Sequence, residues 1–112
     1  MKTTNGNAFG ILLALAACAN ETGRLGYAIA KQRRIIETEL TEFINLRNAA
    51  IRRHCADDGQ LSEAAAAEAN REIREYLDIP CEFAVVSVPA DVFIGGTLTS
   101  DQMYLLDFMV EV

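Results

Sequence analysis

Along residues 24–55, apolar side chains recur at three- to four-residue steps. Leu25, Ile29, Ile36, Leu40, Phe43, Leu46 and Ala50 form one stripe, which Ile35, Ile44 and Ile51 widen. No proline interrupts the run and Gly26 sits at its start, so the spacing predicts one long helix over 24–55. At 1.5 Å per residue it would reach about 48 Å, against roughly 30 Å across a compact domain of this size. Such a helix must bend, or project an end that another chain covers. A homo-oligomer is therefore expected.

Downstream, Ala56-Asp57-Asp58-Gly59-Gln60 reads as a turn, and Ser62 as the cap of a second helix over 62–78. That helix offers a small-residue face through Ala64, Ala65, Ala66, Ala67 and Ala69, with Ile73, Tyr76 and Leu77 beyond. Glu68–Arg71, Arg71–Glu75 and Arg74–Asp78 are spaced to pair on its outer side. A short connection between two helices predicts an antiparallel hairpin. Pro80 ends the helix, and 81–94 reads as a β element: Phe83, Val85 and Val86 before Pro89, then Val92-Phe93-Ile94 as a second short strand. Thr99 and Gln102 have capping-box spacing, opening a last short helix over 100–109.

The stretch ILLALAACAN, residues 11–20, carries two readings. With Lys2 upstream, Leu15-Ala16-Ala17-Cys18 resembles the end of a lipoprotein signal. The start is weakly basic, however, and no flexible polar tether follows Cys18, so the expectation is an N-terminal apolar helix over 7–19 in a chain that keeps its Met1. Asn5 or Asn7 can cap it and the stretch 20–23 can end it. A helix apolar all round must be covered on every side, a second reason to expect a partner subunit. Its apolar run, 8–19, is too short to span a bilayer, which takes about 20 residues, so no membrane contact is expected. The fold class that results is mainly α: a long helix hairpin with an N-terminal apolar helix, a short β element and a C-terminal short helix, in a single domain over 1–112.

Composition fits a folded chain, 51% apolar and 23% charged. Cys18, Cys55 and Cys81 are odd in number and lack CxxC spacing, which reads as reduced thiols in the cytoplasm. A lipidated Cys18 with a Cys55–Cys81 disulfide is the competing count. His54 adjoins Cys55, but adjacent helical residues diverge by about 100°, so the pair reads as a helix C-terminus carrying a favourable cation. The cysteine and histidine spacings match no zinc motif, Gly95-Gly96 lacks the lysine of a phosphate loop, and no nucleophilic serine motif occurs. Neither an enzyme, a metal nor a cofactor is expected.

Charge is distributed unevenly along the chain. Residues 24–55 hold seven bases against three acids, whereas from Glu75 onward there are seven acids and no base. The net charge of −6 argues against extended nucleic-acid binding. A solvated face explains much of the split, but paired arginines also suit phosphates or carboxylates, because the guanidinium fork binds two oxygens at once. Lys31, Arg33, Arg34, Arg47, Arg52 and Arg53 are the candidate ligand-binding residues.

GYAIAKQRRIIETELTEFINLR (26–47), IPCEFAVVSV (79–88) and LTSDQMYLLDFMV (98–110) resemble a family of small phage-encoded proteins of unknown function, often found beside tail and lysis genes. The resemblance implies an intact N-terminus, the host cytoplasm and a viral accessory role, and brings no catalytic residues. The function expected is binding without catalysis: counter-defence by sequestering an anionic, nucleotide-like ligand or by blocking a host protein. A virion or tail-assembly factor and a lipid-anchored envelope protein are the alternatives.

Overall fold

The structure is a computed structural model describing residues 1–55 and 59–111. In chain order its elements are β1 (Lys2–Thr4), α1 (Asn5–Ala17), α2 (Gly23–Glu39), α3 (Thr41–His54), α4 (Glu63–Leu77), β2 (Pro80–Glu82), α5 (Ala90–Ile94) and α6 (Ser100–Leu106), with a 3-10 turn at Asp107–Met109. The protein is mainly α-helical, with one two-stranded antiparallel sheet in which Thr3 stands opposite Cys81. Ala56, Asp57 and Asp58 of the expected turn lie outside the described residues.

The N-terminal helix is the centre of the core. Ala8, Ile11, Leu12, Ala14 and Leu15 are buried, and α2, α4 and α6 all pack on α1. The complete cover expected of an apolar helix is not reached, since Leu13 remains 57% exposed. No helix among the described residues is long and apolar enough to cross a membrane. The helix cap is Thr4, whose hydroxyl accepts the Asn7 amide at 3.3 Å; neither asparagine holds that position. Asn5 instead donates its side-chain amide to the Tyr76 carbonyl at 3.1 Å, satisfying an end of α4. At the other end, the chain reverses through 18–22 into α2. Gly26 is needed there: a Cβ would stand 2.4 Å from the Glu21 carbonyl oxygen.

The expected long helix is two helices that break at Leu40, where φ is −92° and ψ is 11°. Hydroxyls flank the break. Thr38 donates to the Arg34 carbonyl at 3.0 Å, and Thr41 to the carbonyls of Glu37 at 3.1 Å and Thr38 at 2.9 Å. Such bonds compete with the helical ladder and bend it. The hairpin is present, formed by α3 and α4, and its expected Ser62 cap holds, with the hydroxyl accepting the Ala65 amide at 3.1 Å. The molecule is nevertheless long, 49 × 27 × 20 Å, with a radius of gyration of 16.1 Å. A compact chain of this length would measure about 13 Å.

The β element differs most from expectation. Only Pro80–Glu82 is a strand, its partner is the unforeseen Lys2–Thr4, and Val92-Phe93-Ile94 belongs to the short helix α5 with Phe93 buried. Residues 83–88 form a strap whose main chain bonds elsewhere. Phe83 exchanges bonds with Met1, its amide donating at 3.1 Å and its carbonyl accepting from the Met1 amino group at 2.6 Å. Val88 makes a bridge to the chain end, donating to Met109 O at 2.7 Å and accepting from Glu111 N at 2.8 Å. Between these, Gln32 of α2 is fully buried. Its amide nitrogen donates to Ala84 O at 2.9 Å and its amide oxygen accepts from Val86 N at 2.7 Å. One glutamine side chain thus supplies the pairing that a neighbouring strand would give. At the C-terminus, the Thr99–Gln102 capping box forms as expected, although α6 ends at Leu106 and passes into the 3-10 turn.

Replacing Gln32 by Leu removes both bonds; Ala84 is exposed and Val86 half-buried, so each costs about 0.5–1.5 kcal/mol. Urea unfolding of Gln32→Leu is expected to show roughly 1–3 kcal/mol lost, more than a Leu-for-Gln swap at an exposed helix site would give. Gly26→Ala must displace the 18–22 turn and is expected to cost about 1–3 kcal/mol by the same measurement.

Candidate anion-binding face

Helix α2 has two faces of opposite character. Leu25, Ala28, Ile29, Gln32 and Ile36 point into the core. Opposite them, Tyr27, Ala30, Lys31, Arg34, Ile35 and Thr38 line a surface groove of about 690 Å³. Tyr27 is 71% exposed, which leaves its ring open to a ligand. Beside this groove lies a cleft of about 300 Å³ between the end of α1 and α2, walled by Leu15, Cys18 and Ile29 and edged by Arg33, Arg34 and Glu37. Arg34 and Ala30 belong to both, so the two depressions adjoin.

The six basic residues expected to hold a ligand separate into two groups. Lys31, Arg33 and Arg34 share α2 and line these two depressions. Arg33 is engaged by Glu37, Nε to Oε1 at 2.9 Å, whereas Lys31 and Arg34 have no ion-pair partner among the described residues. Arg47, Arg52 and Arg53 lie on α3 and line neither. Arg47 covers the Phe9 ring, its guanidinium carbon 5.0 Å from the centroid, and Phe9 stands edge-on to Phe43 at 5.5 Å. Arg53 pairs with Glu72 on α4. Arg52 is exposed. The aromatic member of the face, Tyr27, was not among the expected residues. Its signal lay in the helical period, four residues before Lys31 and seven before Arg34, on the side away from Leu25 and Ile29.

The rest of the chemistry-bearing residues have structural surroundings. His54 Nε2 sits 3.2 Å from Glu72 Oε2, across the hairpin. All three cysteines are free. Burial, and then the Glu21 charge, hold the Cys18 thiol above its usual range; burial and then Glu39 do the same at Cys81. Both thiols therefore stay protonated near neutrality, the less nucleophilic form. Among the described residues, no group of three or more His, Cys, Asp or Glu is placed to hold a metal ion.

Glu21 latches the turn between α1 and α2 to the loop before α6. Its carboxylate accepts from the Thr97 hydroxyl at 2.7 Å and the Thr97 amide at 2.8 Å, and these bonds, hydroxyl first, lower its pKa from 4.5. A depressed carboxylate stabilises the fold above its unfolded pKa and loses that contribution as pH falls through the lower folded value. Glu21→Gln is thus expected to be less stable than wild type at neutral pH. The gap should close as the solution is acidified below 4.5, in melting curves taken across pH.

No family model matches the chain, and neither a curated protein nor a solved structure does.

Proposed function

We propose that this chain is a non-catalytic binding protein whose outer α2 face captures an anionic ligand carrying an apolar or aromatic part. The observation that carries the reading is a pair of cations, Lys31 and Arg34, that have no ion-pair partner among the described residues and line a groove together with Tyr27 and Ile35. A guanidinium holds phosphate or carboxylate oxygens in pairs, and a lysine adds a point charge beside it. An exposed phenol ring offers a stacking platform to a planar group. From Tyr27 to Thr38 the helix rises about 16 Å, the reach of a nucleotide-sized ligand. The same residues fall inside the 26–47 block that resembles small phage-encoded proteins. That resemblance supports an accessory role in an infected cell, sequestering a nucleotide-like signal used in host defence.

Titration with a panel of mono- and cyclic nucleotides, read as a rise in melting temperature at low salt, tests the proposal. At least one member is expected to raise it. Lys31→Glu/Arg34→Glu should weaken that binding by about tenfold or more, while Lys2→Glu should leave it unchanged. No shift with any nucleotide, or equal affinity in the double variant, overturns the reading.

A further inference from the structure

The α3–α4 hairpin is an arm without a core at its far end. Burial on it stops at Ala50 on one helix and Ala69 on the other; between Ile51 and Glu68 no described residue is buried. The arm belongs to a molecule 49 Å long. It also keeps apolar surface in water: Leu46 and Leu61 are exposed, and Ile44 and Ile51 are half-covered. The outer side of α4 is flattened by Ala64 and Ala67, both exposed, which lets another helix approach closely.

Charge says what fits there. Helix α3 carries Arg47, Arg52 and Arg53 against Glu42, while α4 carries Glu63, Glu68, Glu72 and Glu75 against Arg71 and Arg74. Within the arm, Arg53 and His54 both turn to Glu72, and Arg71 to Glu68 at 3.5 Å. Arg52 near the tip, and Glu75 and Asp78 at the base, have no ion-pair partner among the described residues. A basic helix beside an acidic one is complementary to a second copy of itself turned through a twofold axis. If the two arms run antiparallel, each copy's Arg52 comes level with the other's Glu75 and Asp78.

We propose that this arm is the seat of a twofold dimer, the α3 of each copy lying against the α4 of the other in a four-helix bundle. Two helices of this length offer roughly 400 Å² per copy, about 800 Å² per pair, below the usual size of a tight interface. The dimer is therefore weak, formed at high protein concentration, and sensitive to salt. The surface is separate from the α2 groove, so the two proposals stand or fall independently.

Sedimentation velocity tests it. Wild type is expected to pass from 12.3 kDa toward twice that mass as concentration rises to about 0.5 mM, and less so in about 0.5 M salt. Arg52→Glu and Glu75→Arg should each weaken the dimer about tenfold while keeping the wild-type melting temperature. An equimolar mixture of the two should recover it as a heterodimer, because one of its two pairs is remade with its signs exchanged and the other is the wild-type pair. Recovery of Arg52→Glu by Glu63→Arg in place of Glu75→Arg would overturn the antiparallel arrangement. A monomer at every concentration, or a dimer indifferent to all these changes, would overturn the arm as the interface.

Discussion

The buried amide of Gln32 holds this fold together at the point where secondary structure fails. Between Phe83, which pairs with Met1, and Val88, which pairs with the segment after α6, the strap has no strand partner among the described residues. Gln32 meets one carbonyl and one amide, two residues apart, with the geometry of a peptide group in a neighbouring strand. Through it the strap is fixed to α2. Through Val88 the strap is fixed in turn to the segment after α6. Helices from both halves of the chain are thereby tied to one helix.

That arrangement has a consequence for function. The inner face of α2 packs on the strap and on α1, so its outer face stands on a packed helix. A face built on a packed helix costs less ordering to bind a ligand than one built on a loop. The break at Leu40 matters for the same reason. It separates Lys31, Arg33 and Arg34 on α2 from Arg47, Arg52 and Arg53 on α3, so the basic residues of 24–55 divide into two groups in space. One adjoins grooves; the other runs along the projecting arm.

Much of the helical pattern was legible in the sequence, because periodicity reports burial directly. Leu25, Ile29, Ile36, Leu40, Phe43 and Ala50 are all buried, and the Ser62 and Thr99 caps stand where their spacing put them. Leu46 shares the period but is exposed. The break at Leu40 leaves no mark on the apolar stripe, because it coincides with two threonine hydroxyls that bond locally to main-chain carbonyls. Gln32 was visible only as a gap, a polar residue in the seven-residue step between Ile29 and Ile36. The pairing of residues 2–4 with 80–82 depends on contacts across most of the chain, which no local pattern encodes. Of the candidate site, the basic positions were readable from charge, whereas their division between two surfaces and the part of Tyr27 required the fold.

Amide hydrogen exchange at Val86, followed by NMR, tests the central constraint most directly. Bound to the Gln32 side chain, this amide should exchange orders of magnitude more slowly than Ser87 beside it, and nearly as slowly as Val88, whose partner is main chain. Exchange at Val86 as fast as at Ser87 would show that the strap is not held by α2, and would contradict the account.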